Sequence, residues 1–173
     1  MTAAKRPLWT CPRCGNRFVT RNLWHSCVRV SVREHLAGRP REVVRLYREV
    51  ARAVRSCGPG VRSVSSRSRT GWMVRTRFAG VEFRRDHVRL SFWLKREVSS
   101  PRLRSTHLRG DDWIYALPVR SAAELDDELR GWLCEAYLVG RQEAGSRRPG
   151  TSGRGARRGP RDDAPSRASR GSS

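Results

Sequence analysis

The sequence predicts a small α+β protein: an N-terminal Cys/His knuckle, a mostly antiparallel sheet flanked by two main helices, and a disordered basic C-terminal tail. Three observations predict this arrangement. They are a cluster of Cys and His near the N-terminus, two amphipathic helical patterns that enclose strand-like segments, and a C-terminal stretch without large apolar residues. We place the knuckle at residues 8–30, the α+β domain at 31–142 and the tail at 143–173.

The first helix is predicted over residues 40–56, after a linking segment at 31–38. Pro40 suits a first helical turn, and Gly58-Pro59-Gly60 ends the pattern. Between them, apolar residues recur at i, i+4, i+7 and i+11, which is one face of a helix: Val43, Tyr47, Val50 and Val54.

The segments after this helix are short and rich in Val, Phe and Trp, as expected for the strands of an antiparallel meander. A hairpin connection is predicted at residues 84–87, and a last strand at 112–119, closed by Pro118. The four strands predicted before that last one cover 61–64, 72–78, 81–83 and 88–94.

The second helix is predicted to follow a capping box formed by Ser121 and Glu124 and to reach about Arg141. Its apolar stripe consists of Leu125, Leu129, Trp132, Leu133, Ala136 and Tyr137. Beyond it, the tail from about Gly145 contains mostly Ser, Gly, Arg, Pro and Ala. Ordering it would cost backbone entropy with no apolar surface to bury, so we expect disorder.

The knuckle carries the sharpest chemical signal, Cys11-x-x-Cys14-Gly15 followed by His25-x-Cys27. A Cys-x-x-Cys turn directs two thiolates at one point, and the second pair completes a tetrahedron. Three thiolates and one imidazole leave no open coordination position. The pattern therefore predicts a structural zinc site, and thus a zinc knuckle.

Two other interpretations of these cysteines stay open. A thioredoxin-type redox pair would need a preceding strand and a long following helix, which the sequence does not offer. Alternatively, His25 only packs and a remote cysteine, Cys57 or Cys134, completes the site. Those two cysteines lie in or beside helical patterns, where buried small hydrophobic residues are the simpler interpretation.

The chain resembles bacterial proteins that carry the domain of unknown function 5655, over about residues 8–142. The residues that carry the resemblance are the Cys/His motif with Trp9 and Phe18, Arg77-Phe78-Ala79-Gly80-Val81, Asp112-Trp113, Leu125-Asp126-Asp127-Glu128-Leu129, Trp132 and Ala136-Tyr137. The resemblance implies no established activity. By analogy, related domains occur fused to predicted nucleic-acid-handling proteins.

The net charge of +21 arises from 37 basic against 16 acidic residues, and only Lys5 and Lys95 of the basic ones are lysines. GC-rich coding would favour arginine in the same way, so charge alone does not establish a partner. No apolar run is long enough to cross a membrane, and the N-terminus lacks the apolar stretch of a secretory signal. We expect a cytoplasmic protein.

Nucleic acid, DNA or RNA, is the expected partner, bound through phosphate contacts. The candidate residues lie on and beside the predicted strands: Arg67, Arg69, Arg75, Arg77, Arg84 and Arg85. Arg75 and Arg77 should project from one face of a strand, while Trp72 or Trp93 could stack a base. The simpler alternative is a solvated sheet face in an arginine-rich protein.

An enzymatic role is less favoured. Phosphate-loop, nucleophile-elbow and zinc-protease motifs are missing from the sequence, and Lys95 does not follow the acidic pattern of a metal-dependent nuclease. His107, between Arg104 and Arg109, and Asp86 remain candidates for an enzyme that acts on an anionic small molecule. A protein-interaction adaptor is the other alternative, and the oligomeric state is open.

Overall fold

The computed structural model describes residues 5–23, 25, 27, 30–108 and 110–143. Its elements in chain order are β1 (Trp9–Thr10), β2 (Arg17–Phe18), α1 (Val32–Leu36), α2 (Arg41–Ser56), β3 (Arg62–Ser65), β4 (Arg69–Met73), β5 (Arg77–Phe83), β6 (Val88–Leu94), β7 (Arg104–His107), β8 (Trp113–Val119) and α3 (Asp127–Gly140). The order of knuckle, helix, strands and helix confirms the predicted α+β class. The predicted tail lies outside the described residues, apart from Glu143.

The main sheet has six antiparallel strands in the order β3-β4-β5-β6-β8-β7. Strand β8 lies between β6 and β7, so the β7–β8 hairpin joins the meander through β8. Strand β7 is absent from the sequence prediction. Its four residues, Arg104–His107, are polar and exposed, so they give no apolar alternation.

Helices α2 and α3 pack together on one face of the sheet and bury the core. Val43, Val50 and Val54 of α2 are fully buried, as are Leu129 and Leu133 of α3. The amphipathic pattern therefore identified both helices and the faces that they bury. Of the residues that the structure describes, none belongs to a helix long and apolar enough to cross a membrane.

The strand predicted at residues 72–78 is wrong, because the chain reverses at 74–76. The backbone N–H groups of Arg75 and Thr76 both donate to the carbonyl of Gly140, at 3.0 Å each. A register shift between Trp72 and Met73 accompanies this turn, and Phe78 lies edge-on against Tyr137 of α3. The predicted strand at 81–83 is the second half of β5.

The predicted start of the second helix needs a correction, and one short helix was not predicted. The Ser121–Glu124 capping box starts a single 3₁₀ turn, whereas α3 begins after Asp126, whose carboxylate accepts from the N–H of Leu129 at 2.9 Å. The segment predicted as a linker at 31–38 contains α1, started by a second capping box at Ser31 and Glu34. Helix α1 was not predicted because its five residues are too few to show helical periodicity.

A disulfide joins Cys57, at the C-terminal cap of α2, to Cys134 in α3. Their Cα atoms are 4.7 Å apart, and both residues are half-buried. The interpretation of these cysteines as buried small hydrophobic residues is therefore wrong. The disulfide also removes both thiols from the set of remote ligands considered for the knuckle.

Candidate metal centre and basic sheet face

A two-stranded hairpin carries the first two cysteines of the knuckle. Strand β1 pairs with β2, with Trp9 opposite Phe18. Between them, the N–H of Gly15 donates to the carbonyl of Cys11 at 2.8 Å, and Gly15 adopts a φ of 72°. This left-handed conformation favours glycine. The tight turn leaves Cys11 and Cys14 buried with their thiols on one side.

The structure brings the four predicted ligands together. One potential ligand atom from each of Cys11, Cys14, His25 and Cys27 lies within 4.8 Å of the other three. The Sγ atoms of Cys11 and Cys27 are 3.9 Å apart, and His25 Nε2 lies 3.2 Å from Cys14 Sγ and 3.4 Å from Cys27 Sγ. These residues could hold a metal ion.

The His25 ring is oriented by contacts outside the cluster. Its Nδ1 lies 2.6 Å from the carbonyl of Leu23, and its ring lies 4.3 Å from that of Phe18. The Leu23 carbonyl fixes the tautomer in which Nδ1 carries the proton and Nε2 is free to bind a metal. The same carbonyl raises the pKa of His25, with smaller contributions from the cysteines.

The thiols of the cluster differ in acidity. Desolvation raises the pKa of Cys11, but the backbone N–H groups of Cys14 and Arg13 and the neighbouring thiols outweigh it and lower the pKa to about 6. The pKa of Cys27 is raised by desolvation and by its hydrogen bond with Cys11. The cluster thus favours a thiolate at Cys11, the protonation state that metal binding needs.

The knuckle is attached to the domain through the residues before β1. Lys5 Nζ donates to the carbonyl of Arg141 at 2.9 Å and pairs with Glu143 at 2.6 Å. Arg75 donates to the carbonyl of Arg6 at 2.5 Å and to Gln142 at 2.9 Å. These contacts fix the chain at the end of α3, and they occupy Arg75 in an architectural role.

We call the face of the sheet opposite the helices the open face. In β6, Val88, Leu90, Phe92 and Leu94 point to the core, so Arg89, Ser91 and Trp93 point to the open face. Through the strand register, the open face also contains Arg69 and Gly71 of β4, Arg77, Gly80 and Glu82 of β5, Ile114, Ala116 and Pro118 of β8, and Arg104 and Thr106 of β7.

The six predicted arginines do not form one cluster. Arg69 and Arg77 lie on the open face, whereas the other four lie in connections between strands. Arg67, Arg84 and Arg85 lie at one end of the strands, and Arg75 lies at the opposite end. The turn at 74–76 causes this separation. The expectation that Arg75 and Arg77 project from one strand face is therefore wrong.

A single carboxylate, that of Glu82, lies near two arginines of the open face and one arginine of the adjoining connection. Glu82 lies 2.8 Å from Arg84, 3.8 Å from Arg89 and 3.9 Å from Arg69. Arg77 has no carboxylate partner among the described residues. Its Nε lies 2.9 Å from the position that a Cβ on Gly71 would take, so its side chain lies across β4. Desolvation lowers the pKa of Arg77, and the like charge of Arg69 lowers it further.

The predicted site lacks several arginines of the open face. Arg89 lies on β6 beside Glu82, and Arg104 lies on β7 opposite Ala116. The alternation of β6 gave a signal for Arg89, but placing Arg104 requires the β7–β8 register. Arginines of the sheet and of the knuckle also lie near each other. Burial lowers the pKa of Arg62 on β3, and the like charge of Arg17 on β2 lowers it further.

The two tryptophans considered for base stacking differ in exposure. Trp72 is fully buried and stacks on Tyr47 in the core, with ring centroids 6.0 Å apart, so its predicted exposure is wrong. Trp93 is half-buried on the open face, opposite Ile114 of β8. Only Trp93 therefore offers a ring at the surface of the sheet.

The candidate catalytic groups lie in exposed positions. Asp86 pairs with His87 at 2.7 Å and with Arg120 at 2.9 Å, and His107 Nε2 lies 2.6 Å from the carbonyl of Gly110. The clefts beside α2 contain neither Asp86 nor His107. These groups therefore have local structural partners and lie outside both clefts.

Comparison with known proteins identifies a family for most of the chain. A family model described as Domain of unknown function (DUF5655) matches residues 32–140, more than half of the chain. No curated protein and no solved structure matches the chain. The matched range contains helices α1 to α3 and the six-stranded sheet, whereas the Cys/His cluster lies before it.

Proposed function

The chain belongs to the DUF5655 family, whose description names no activity, and we propose from its geometry that it binds nucleic acid through phosphate contacts on the open face. The observation that carries this proposal is the charge balance of that face. Arg69, Arg77, Arg89 and Arg104 lie on it, while Glu82 is its one acidic residue among the strands that the structure describes. An anion would relieve the repulsion between these arginines.

The shape of the open face supports the same proposal. Gly71, Gly80, Ser91 and Ala116 stand opposite one another on four neighbouring strands, so small side chains cross the sheet between the arginines. Gly71, Gly80 and Ala116 are buried, and the Arg77 side chain lies over Gly71, so arginine side chains form the surface there. Their guanidinium groups can bind a phosphate backbone bidentately. Trp93 supplies a ring on which an unpaired base would stack. Phosphate contacts carry no sequence information, so we propose binding without sequence preference.

The test is a titration of the full chain with labelled single-stranded DNA, duplex DNA and RNA at about 50 and about 200 mM salt. Arg77→Ala and Arg89→Ala should each weaken binding and lower the salt slope by about 1. Arg45→Ala is the matched control, because Arg45 is an exposed arginine of α2, paired with Glu42, on the opposite side of the domain. The basic tail is present in every variant, so its contribution cancels.

Two results would contradict the proposal. One is binding that Arg77→Ala and Arg89→Ala weaken no more than Arg45→Ala does. The other is binding that hardly changes between the two salt concentrations. Trp93→Leu separates the substrates: it should weaken single strands and leave the duplex unchanged, because paired bases are already stacked.

We further propose that the metal of the Cys11/Cys14/His25/Cys27 cluster is zinc in a structural role. A tetrahedral zinc site has edges of about 3.8 Å between two sulfurs and about 3.6 Å between sulfur and nitrogen. The corresponding distances here, 3.9 Å for Cys11–Cys27 and 3.2 and 3.4 Å for His25 to two sulfurs, are close to these values. Four protein ligands leave no position for a substrate.

Metal analysis of the purified full chain tests this assignment, with one equivalent of zinc expected. Cys11→Ser should lose most of the metal, whereas Cys134→Ser, which removes a cysteine of the disulfide, should retain it. Equal zinc content in both variants would show that the ligand assignment is wrong. The adaptor alternative has no comparable support: among described residues, the exposed large apolar side chains are Leu23, Leu108 and Leu138, in three separate segments.

A further inference from the structure

An open cleft runs beside α2, on the helical side of the domain and away from the open face. Its volume is about 670 Å³. The lining consists of one residue from α1 and six from α2: Val32, Tyr47, Arg48, Ala51, Arg52, Arg55 and Ser56. Neither the metal cluster nor the open-face arginines contribute to it.

The charge in this cleft is positive. Arg48, Arg52 and Arg55 follow one another at i, i+4 and i+7, so they share one side of α2. No carboxylate lines the cleft. Arg52 pairs with Glu49 at 2.6 Å, Arg55 donates only to the hydroxyl of Ser63 at 3.2 Å, and Arg48 forms no ion pair or side-chain hydrogen bond with any described residue.

Tyr47 adds an independent observation. The residue is only 5% exposed, and its ring packs against Trp72 and Phe83 in the core. Within the described part of the chain, its hydroxyl forms no hydrogen bond, although the residue lines the cleft. Burial raises the pKa of Tyr47 and the charge of Arg55 opposes this effect, so Arg55 lies near the phenol. Because the hydroxyl oxygen is not itself fully buried, it reaches the surface of the cleft, where a ligand can accept its hydrogen bond.

We propose that this cleft binds an organic phosphate monoester. Arg48 and Arg55 bind the phosphate group, because both are without a carboxylate partner, and the hydroxyl of Tyr47 donates to a phosphate oxygen. The organic part of the ligand lies against the apolar side chains of Val32 and Ala51. A doubly charged phosphate suits the two arginines better than the single charge of a phosphodiester.

Two sources could supply this chemistry: a free phosphorylated small molecule or the terminal phosphate of a nucleic acid strand. The proposal does not depend on nucleic-acid binding at the open face, since the two surfaces share no residue. Arg77→Ala, which tests the open face, should leave phosphate binding in the cleft unchanged. The two proposals can therefore fail separately.

The experiment is an NMR titration of the full chain with phenyl phosphate, with inorganic phosphate and phenol as partial ligands. Phenyl phosphate should shift the amide signals of residues 47–56 with a Kd of about 1 mM, and it should bind more tightly than either partial ligand. Oligonucleotides with and without a 5′-phosphate identify the source. A shift only with the phosphorylated strand would assign a nucleic acid terminus.

Three variants test the assignment of residues. Arg48→Gln and Arg55→Gln should each weaken phenyl phosphate binding about tenfold, as expected for the loss of one charge-assisted hydrogen bond. Tyr47→Phe retains the core ring, and it should weaken binding by a smaller factor. Arg41→Gln is the matched control, because Arg41 is an exposed residue of α2 that does not line the cleft. No saturable shift in residues 47–56 up to about 10 mM, or equal weakening by Arg41→Gln and Arg48→Gln, would overturn the proposal.

Discussion

Substitution of Gly140 by alanine should destabilise the domain, because Phe78 occupies the space that a methyl group needs. A Cβ on Gly140 would lie 2.7 Å from Cδ1, 2.9 Å from Cβ and 3.0 Å from Cγ of Phe78. Phe78 is fully buried and held edge-on against Tyr137, so it has little room to move. Gly140 also accepts the hydrogen bonds that shape the turn at 74–76.

The magnitude follows from two opposing effects. Overpacking a buried contact of this kind costs about 1–3 kcal/mol, while replacing a helical glycine by alanine contributes about 0.5–1 kcal/mol of stability. The net loss should be about 1–2 kcal/mol. Gly131 of the same helix has no atom within 4 Å of its Cβ position, so Gly131→Ala should only gain stability. The difference between the two variants isolates the steric cost.

Urea unfolding followed by circular dichroism measures both free energies of unfolding. Gly140→Ala should unfold at a lower urea concentration than the wild type, and Gly131→Ala at a higher one, with the same slope. If Gly140→Ala were as stable as Gly131→Ala, then α3 would not contact Phe78 as described.

Three further outcomes are expected. Cys134→Ala should destabilise the oxidised protein by up to about 4.5 kcal/mol, the chain-entropy value for a closed loop of 77 residues, and a reductant should abolish the difference in urea unfolding. Asp126→Ala should destabilise α3, because the hydrogen bond from the N–H of Leu129 stabilises the Asp126 carboxylate and lowers its pKa below the ordinary value of 3.8. The carboxylate contributes this stability above pH 3.8 and loses it as the pH falls through the lowered pKa. Melting temperatures of the variant and the wild type should therefore converge in acid. A metal chelator should reduce the chemical-shift dispersion of the NMR signals of residues 9–23, because the knuckle unfolds without its metal. The signals of the six-stranded sheet should not shift.

The sequence predicted the elements whose side chains alternate between core and solvent. Val43, Val50 and Val54 mark α2 because helical periodicity requires a buried face, and the strand predicted at 88–94 matches β6. Strand β7 was not predicted because its residues are all exposed. The turn at 74–76 was not predicted because Val74 continues an apolar pattern. The domain boundaries at 30 and 142 stay predictions.

The two candidate sites differ in how far sequence could define them. The Cys/His cluster follows from short spacings in the sequence, because one tight turn places Cys11 and Cys14 side by side. The open face depends on register between strands, which sequence does not reveal; Arg77 and Arg104 join it through pairings that only the fold defines. The disulfide was missed for the same reason, since 77 residues separate its two cysteines.

The strand order has a consequence for self-association. Strands β3 and β7 end the sheet, and along their outer sides no strand of the described residues pairs with them. Unpaired edges invite strand addition from another copy of the chain, and charged side chains are a common protection. Arg62 lies on β3, and Arg104 begins β7. Each edge therefore presents an arginine, whose positive charge opposes the approach of a second copy of this basic chain, so charge protects the sheet edges against pairing with one another.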